Sequence, residues 1–363
     1  MRLVLIGDGD SPHLLKWARA LAGAADVELW AASSRGFLPG FDALVPATRR
    51  LALNTGPAHG GGNLRLLTTL PRLARWLKAV DADWLHAHYL TSHGTLAWLA
   101  RRGWGLRARI VGSAWGSDIL LTPQRSRAYR WLTQRVLRAC SLTTSDSAHM
   151  AQRMRELGAV EVMTFPFGLD TLPPEPADKQ AWLFFANRGL EPLYRPERVL
   201  ALFAQVVVVQ PSAQLVVANS GSLAAALPAA ARALGLSVGT LAAGQQVQFV
   251  GRLDSAAQDA WYARARWYLS LPESDSVAVS LLEAMAHGCI PVLSDLPANR
   301  ELVSHGHNGA IVGDAGLDID ALTRLLADAP RIARHNRDWV AQHALFAPAV
   351  ARFLARLREI GAA

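Results

Sequence analysis

A chain of 363 residues, half of them apolar and 18% charged, is long enough for two α/β domains and too apolar to be a disordered polymer. No apolar run reaches the roughly 20 residues that span a bilayer. Met1 to Gly7 reads as a buried strand entering a glycine turn rather than as a signal peptide. Charge is uneven: residues 1–172 carry 21 Lys and Arg against 12 Asp and Glu, whereas the remainder carries 16 against 17.

Strand-like and helix-like segments alternate from the start. Leu3–Ile6 is a short apolar strand, Leu14–Ala25 an amphipathic helix and Val27–Ala32 a second strand. A helix over Leu64–Val80, begun near Gly62 and Asn63, leads to the strand Trp84–His88. Arg109–Ser113 and Leu142–Ser145 are further strands, with a helix over Arg127–Arg138 between them. This alternation predicts parallel βαβ units in a doubly wound sheet. The run Leu172-Pro-Pro-Glu-Pro176 then forbids regular structure. A second series follows: strands at Trp182–Ala186, Gln214–Ala218, Gln246–Val250, Trp267–Leu271 and Ile290–Leu293, with a helix over Pro196–Val209. The expectation is an N-terminal domain over 1–172 and a second over 173–345, facing each other across a cleft. A last helix, near Pro348–Ile360 within 346–363, returns to the first domain.

Between Arg101 and Arg138 nine arginines meet one acid, Asp118, with Trp98, Trp104, Trp115, Tyr129 and Trp131 interleaved or adjacent. Two readings stand side by side. One is a face for anionic lipid headgroups or an anionic acceptor; the other is a solvated arginine-rich surface. Nucleic acid is disfavoured because no recognised binding motif accompanies the charge. Cys140 and Cys289 lie in apolar contexts in different halves and read as reduced core residues of a cytoplasmic protein. Asp-x-Asp strings occur at Asp8–Asp10, Asp81–Asp83 and Asp318–Asp320, too often to serve as a metal motif. His86 and His88 alternate on one strand face with His93 close behind, but lack a clear further ligand for zinc.

The most specific stretch runs from Asp275 to Glu283, two acids separated by seven residues, the second opening a helix that closes on Gly288 before the apolar strand at Ile290. Ser280-x-x-Glu283 is also a capping box, which alone would account for the glutamate. With Phe249-Val250-Gly251, Trp267–Pro272, Ser280–Gly288 and Ser294–Glu301, this segment resembles the retaining glycosyltransferases of family 4, the group 1 glycosyltransferases. The usual first acid of their acidic-x7-Glu motif is Glu, and here it is Asp275.

That resemblance implies the α/β GT-B fold, two Rossmann-like domains, and a sugar moved from a nucleotide-sugar, UDP- or GDP-linked, to an acceptor hydroxyl. It implies Glu283 as ligand of the ribose hydroxyls and Asp275 beside the donor sugar. The amides of Val277, Ala278 and Val279 and the turn at Gly251 belong to the donor site. Arg188 matches the family's phosphate-binding arginine; no lysine follows it, and Arg195 is the available substitute. In the first domain Gly7 and Gly9 allow close backbone approach to the donor. His13, His88, Trp115 and Asp118 stand on the acceptor side, His13 with a helix-capping alternative and Trp115-Gly-Ser-Asp118 with a buried-turn alternative. No metal or other cofactor is expected. The partners implied are the nucleotide-sugar and a sugar or lipid-linked acceptor, in bacterial polysaccharide, lipopolysaccharide or glycolipid synthesis at the inner face of the membrane. A nucleotide-sugar epimerase or phosphorylase of the same fold, or a non-catalytic nucleotide-sugar-binding protein, are the alternatives.

Overall fold

The computed structural model describes every residue except 56–63, 176, 177, 315, 317 and 363. Two compact units emerge: Met1–Phe165 with Ala347–Ala363, and Pro166–Phe346. The first holds seven parallel strands: β1 Arg2–Gly7, β2 Glu28–Ser33, β3 Arg50–Ala52, β4 Trp84–His88, β5 Arg109–Ser113, β6 Leu142–Ser145 and β7 Val162–Thr164. Their order is β3-β2-β1-β4-β5-β6-β7. The second holds β8 Gln180–Ala186, β9 Gln214–Ala218, β10 Val247–Gly251, β11 Ala265–Ser270, β12 Ile290–Ser294 and β13 Ala310–Val312, ordered β10-β9-β8-β11-β12-β13. Central strands such as β1 and β12 are largely apolar runs buried along almost their whole length, as helices on both faces of a parallel sheet demand, and β4 is fully buried with two histidines among its five residues.

Helix starts follow local chemistry. Ser11 caps the helix Pro12–Ala22 by accepting from the His13 amide at 3.3 Å, with proline at the first position. Ser126 does the same for Arg127–Ala139, accepting from Tyr129 N at 3.2 Å. The single helix expected over Leu64–Val80 is instead two, Leu64–Thr68 and Leu70–Val80. Pro71 has no N–H to offer and its ring collides with a preceding carbonyl, so the ladder restarts at Thr69. The expected start at Gly62 and Asn63 lies outside the described residues, as does Pro176 of the proline run. Three edge strands that the apolar pattern did not reveal, β3, β7 and β13, are only three residues long.

The last helix, Phe346–Ala362, packs within the first unit. Phe353 meets Trp17 and His86 edge-on or tilted at 5.1 Å each, while Arg356 pairs with Glu161 and Arg358 with Asp26. Both cysteines are free and buried.

Candidate functional site

In the second unit the strand order reverses between β8 and β11. Open parallel sheets bind ligands outside the carboxyl ends of their strands at such a switch point. Arg188 follows β8, Asp275 lies in the loop after β11, and that loop enters the helix Val279–Ala286 bearing Glu283. The three residues come together there. Arg188 Nη2 donates to Asp275 Oδ2 at 2.5 Å and Nη1 to Ser280 Oγ at 3.2 Å, while the guanidinium covers the Tyr194 ring at 4.5 Å. The pair is largely enclosed, with side chains 19% and 22% exposed. Burial works against the Arg188 charge, but Asp275 and the surrounding tyrosines outweigh it and raise its pKa. Burial also pushes the Asp275 carboxyl upward, with the guanidinium pulling the other way. Arg188 Nε is buried with no partner among the described residues. An orphaned cationic donor of this kind fits a phosphate oxygen.

Glu283 sits in the second turn of its helix rather than opening it, and the capping box is not formed. The N-cap is Ala278, and the Ser280 hydroxyl instead meets Arg188 and, at 2.7 Å, the Tyr268 hydroxyl. Those two buried polar groups take the serine that the local pattern would spend on the backbone. Glu283 Oε2 accepts from the Tyr262 hydroxyl at 3.0 Å, and the same O–H reaches Ser280 O at 3.1 Å. Tyr262 OH in turn accepts from Asn187 Nδ2 at 2.7 Å. Tyr262 is fully buried. Burial first, and the Glu283 charge second, hold its phenol pKa well above the ordinary value, so it stays a proton donor to the carboxylate. Sequence reasoning missed Tyr262, because an aromatic at the end of a helix reads as ordinary core; nothing local marks its hydroxyl.

Among the described residues no side chain caps the helix that Val277, Ala278 and Val279 lead into; the Leu281 amide already donates to the Ala278 carbonyl at 3.1 Å, so an anion here would meet the amides ahead of it. Val277 itself is buried in the core. Gly251 closes β10 at φ +69°, a conformation that favours glycine. Arg195 caps the helix Pro196–Val209 in the left-handed region, φ +47°, and pairs with Glu273 at 3.1 Å. The missing lysine is not replaced by Lys179, whose buried ammonium donates to the carbonyls of Ala263 and Ala265 at 3.2 and 2.9 Å. There it satisfies the end of the helix Ser255–Arg264.

The first unit has its own switch point, between β1 and β4. Here the structure shows what several of the expected residues pack against. A Cβ on Gly7 would meet Leu14 Cδ1 at 2.8 Å, and one on Gly9 would meet Gly36 O at 2.5 Å and Phe37 at 2.6 Å. Both glycines therefore serve close packing of the chain on itself. Asp118 is buried, its two oxygens accepting from the amides of Leu90 at 2.8 Å and Trp115 at 2.9 Å. It clamps two loops instead of facing an acceptor; the buried-turn alternative holds. Trp115 is half-buried and stacks on the exposed His13 at 4.9 Å and on Tyr89 at 5.9 Å. Its indole Nε1 donates to His88 Nδ1 at 3.3 Å.

His86 and His88 are enclosed, and burial drives His86 down to about 3 and His88 well below the ordinary histidine value, so both are neutral. His86 spends a nitrogen on Ser113 Oγ at 2.7 Å, and His93 Nδ1 meets the His88 carbonyl at 2.8 Å. Asp8, set aside in the sequence as part of a recurring Asp-x-Asp string, lies 3.5 Å from His93 Nε2 and accepts from the Ser34 hydroxyl. Burial opposes its charge, yet His93, Ser34 and Arg35 together hold its pKa at about 2. Tyr89 takes φ +61°, strain of the kind that gathers at functional sites. Among the described residues no group of three or more His, Cys, Asp or Glu is placed to hold a metal ion.

Comparison with known proteins bears on the family and the fold. Residues 9–168 match the glycosyl transferase 4-like domain, and residues 173–342 match the glycosyl transferases group 1 family. The chain is 25% identical over 276 residues to N-acetyl-alpha-D-glucosaminyl L-malate synthase of Bacillus anthracis, covering 72% of this chain and 70% of that one. In fold it is similar to Anabaena Alr3699/HepE, solved in complex with UDP (TM-score 0.75, 15% identity, 99% and 100% of the two chains). It is equally similar to sucrose-phosphate synthase of Thermosynechococcus elongatus (TM-score 0.75, 15% identity, 100% and 99%). With both halves matched by family models over most of their length and two Rossmann-like sheets in place, the chain belongs to the group 1 glycosyltransferases and has their GT-B fold.

Proposed function

We propose that this glycosyltransferase moves a sugar from a nucleoside-diphosphate sugar to an acceptor hydroxyl with retention of anomeric configuration. The observation that carries the reading is the enclosed Arg188 at the switch point of the second sheet, with an orphaned Nε and with Asp275 and Glu283 on the adjoining loop and helix. Solved relatives hold UDP and, in the Anabaena protein, UDP-glucose. Glu283, held by Tyr262, takes the ribose hydroxyls through charge-assisted bonds. Arg188, the uncapped amides before Val279 and Arg195 take the diphosphate. Asp275 stands beside the sugar.

The bond between the anomeric carbon and the phosphate oxygen breaks as the acceptor oxygen bonds to that carbon on the same face. The acceptor proton passes to the departing phosphate oxygen, so no separate base is required. Cationic stabilisation of that leaving group supplies the largest share of catalysis. No divalent ion is needed for it, since the arginines neutralise the phosphates.

A thermal-shift screen of UDP, GDP and ADP with their sugars identifies the donor, and proton NMR of the product reads the anomer. An inverted anomer overturns retention. Free sugar isomers or a sugar phosphate as product would favour an epimerase or phosphorylase, and saturable donor binding with no turnover on any acceptor would favour a binding protein.

A further inference from the structure

The helix Arg127–Ala139 is two-faced. Thr133, Val136 and Leu137 point into the first unit's core. Arg127, Arg130, Trp131, Arg135 and Arg138 are all exposed and follow one another at intervals of three, four or one residues. That spacing places them on a single stripe, roughly 17 Å long at the helical rise. Trp131 is 52% exposed, with the Arg135 guanidinium over its ring at 5.4 Å and the Trp98 ring edge-on at 6.4 Å. Trp98 belongs to the neighbouring helix Thr95–Trp104, whose Arg102 is also exposed.

Two facts separate this face from ordinary arginine-rich surface. The only acid between Arg101 and Arg138 is Asp118, which is buried and spent on backbone amides, so the face carries no surface carboxylate from that segment. Several exposed arginines elsewhere have a carboxylate partner, such as Arg153 with Glu156, Arg300 with Asp295, Arg324 with Asp318 and Arg331 with Asp328, while others, such as Arg19, Arg72 and Arg352, have none among the described residues; what sets this face apart is that its unpaired arginines stand together around an exposed tryptophan. Among the described residues no carboxylate lies within ion-pair distance of Arg102, Arg127, Arg130, Arg135 or Arg138.

We propose that this face docks on an anionic lipid bilayer, with the arginines at the headgroups and Trp131 in the interfacial layer. An unpaired cationic stripe seeks anions of high surface density. A large, half-polar aromatic standing in its middle is what distinguishes a bilayer from a wholly polar polyanion, because the indole gains only where apolar and polar layers meet. Each arginine near an anionic surface contributes about a fivefold gain in partitioning, so four suffice for reversible binding without an anchor. Added salt screens the attraction, the Debye length being about 8 Å at physiological strength.

The test is co-sedimentation of the full chain, without sugar donor, so that its result does not depend on glycosyl transfer. Vesicles of phosphatidylcholine with an equal part of phosphatidylglycerol are compared with phosphatidylcholine alone, at low and high salt. We expect binding only to the anionic vesicles, lost at high salt and lost in the Arg127→Gln, Arg130→Gln, Arg135→Gln, Arg138→Gln variant. Trp131→Ala should weaken vesicle binding about tenfold while leaving retention on heparin unchanged. All five side chains are exposed, so circular dichroism of the variants should match the parent. Binding indifferent to lipid charge, no vesicle binding at all, or heparin and vesicles responding alike to Trp131→Ala each overturns the proposal.

Discussion

The two units use one architecture to opposite electrostatic ends. Each has a parallel sheet whose order reverses beside its first strand, β1 against β4 and β8 against β11, and each gathers polar side chains at that point. In the second unit the gathering is ionic: a guanidinium between a carboxylate, a serine and a tyrosine face, with another carboxylate held by Tyr262. In the first it centres on neutral histidines and stacked aromatics, with charge confined to Asp8, Asp10 and Arg35. A buried charge persists only when paired, whereas a buried imidazole can shed its proton and remain. The difference predicts that the second site responds to losing a charge and the first to gaining one.

Arg188→Ala breaks the comparison hardest. Removing one partner of a buried pair costs about 3–5 kcal/mol of stability, because Asp275 is left enclosed and unmatched. Nucleoside diphosphate affinity should fall far more than nucleoside affinity, and Arg188→Lys should restore only part, lacking the planar fork. If calorimetry shows both ligands weakened alike, the arginine is structural.

For the first site the sensitive variable is pH. His86 titrates at about 3 in the folded chain, against about 6.5 when unfolded. A lowered folded pKa means stability is intact above the unfolded value and is lost as pH falls toward the folded one. Between those limits the unfolded chain binds a proton that the native state refuses, roughly 1.4 kcal/mol per pH unit for each such histidine. Melting temperature should therefore fall between those two values, and His86→Gln should flatten the slope. An unchanged slope would show that His86 already carries its proton when folded.

Glu283→Ala and Tyr262→Phe sharpen the donor assignment. The first removes the proposed ribose ligand and the second only its tether, so both should weaken nucleoside binding, the tyrosine variant by roughly tenfold, about one hydrogen bond's worth. In a Glu283→Ala background the Tyr262→Phe loss should vanish; additive losses would mean that the hydroxyl serves stability alone. Asp118→Asn should cost about 1–3 kcal/mol, because its amide group would face a backbone donor. Acceptor KM should not change; a rise would return Asp118 to the acceptor site. The smallest expectation is none at all: EDTA should leave transfer unaltered, and loss restored by Mg²⁺ or Mn²⁺ would revive a metal.

Most of this fold was legible in the chain because parallel strands buried on both faces must be apolar runs, and the helices between them need caps and stripes that sequence displays. The helix Pro196–Val209 and the strand Gln214–Ala218 fall where the pattern puts them. Three-residue edge strands did not show, since they lack the length for a period. At the site, spacing along one loop and helix was enough to single out Asp275 and Glu283. Their partners were not legible, for Tyr262, Tyr194 and Asn187 acquire meaning only through contacts across separate elements.

By itself, then, the order of residues determined the alternation of strands and helices, the family and the acidic pair, all carried by local periodicity and fixed spacing. The tertiary structure alone decided how the polar groups are spent. It gave Ser280 to Arg188 and Tyr268 instead of the helix end, turned Asp118 inward to backbone amides, and left the arginine stripe beside Trp131 without carboxylates. The physical reason is that a buried polar group must find a partner wherever the fold brings one, and that choice is made between segments far apart in the chain.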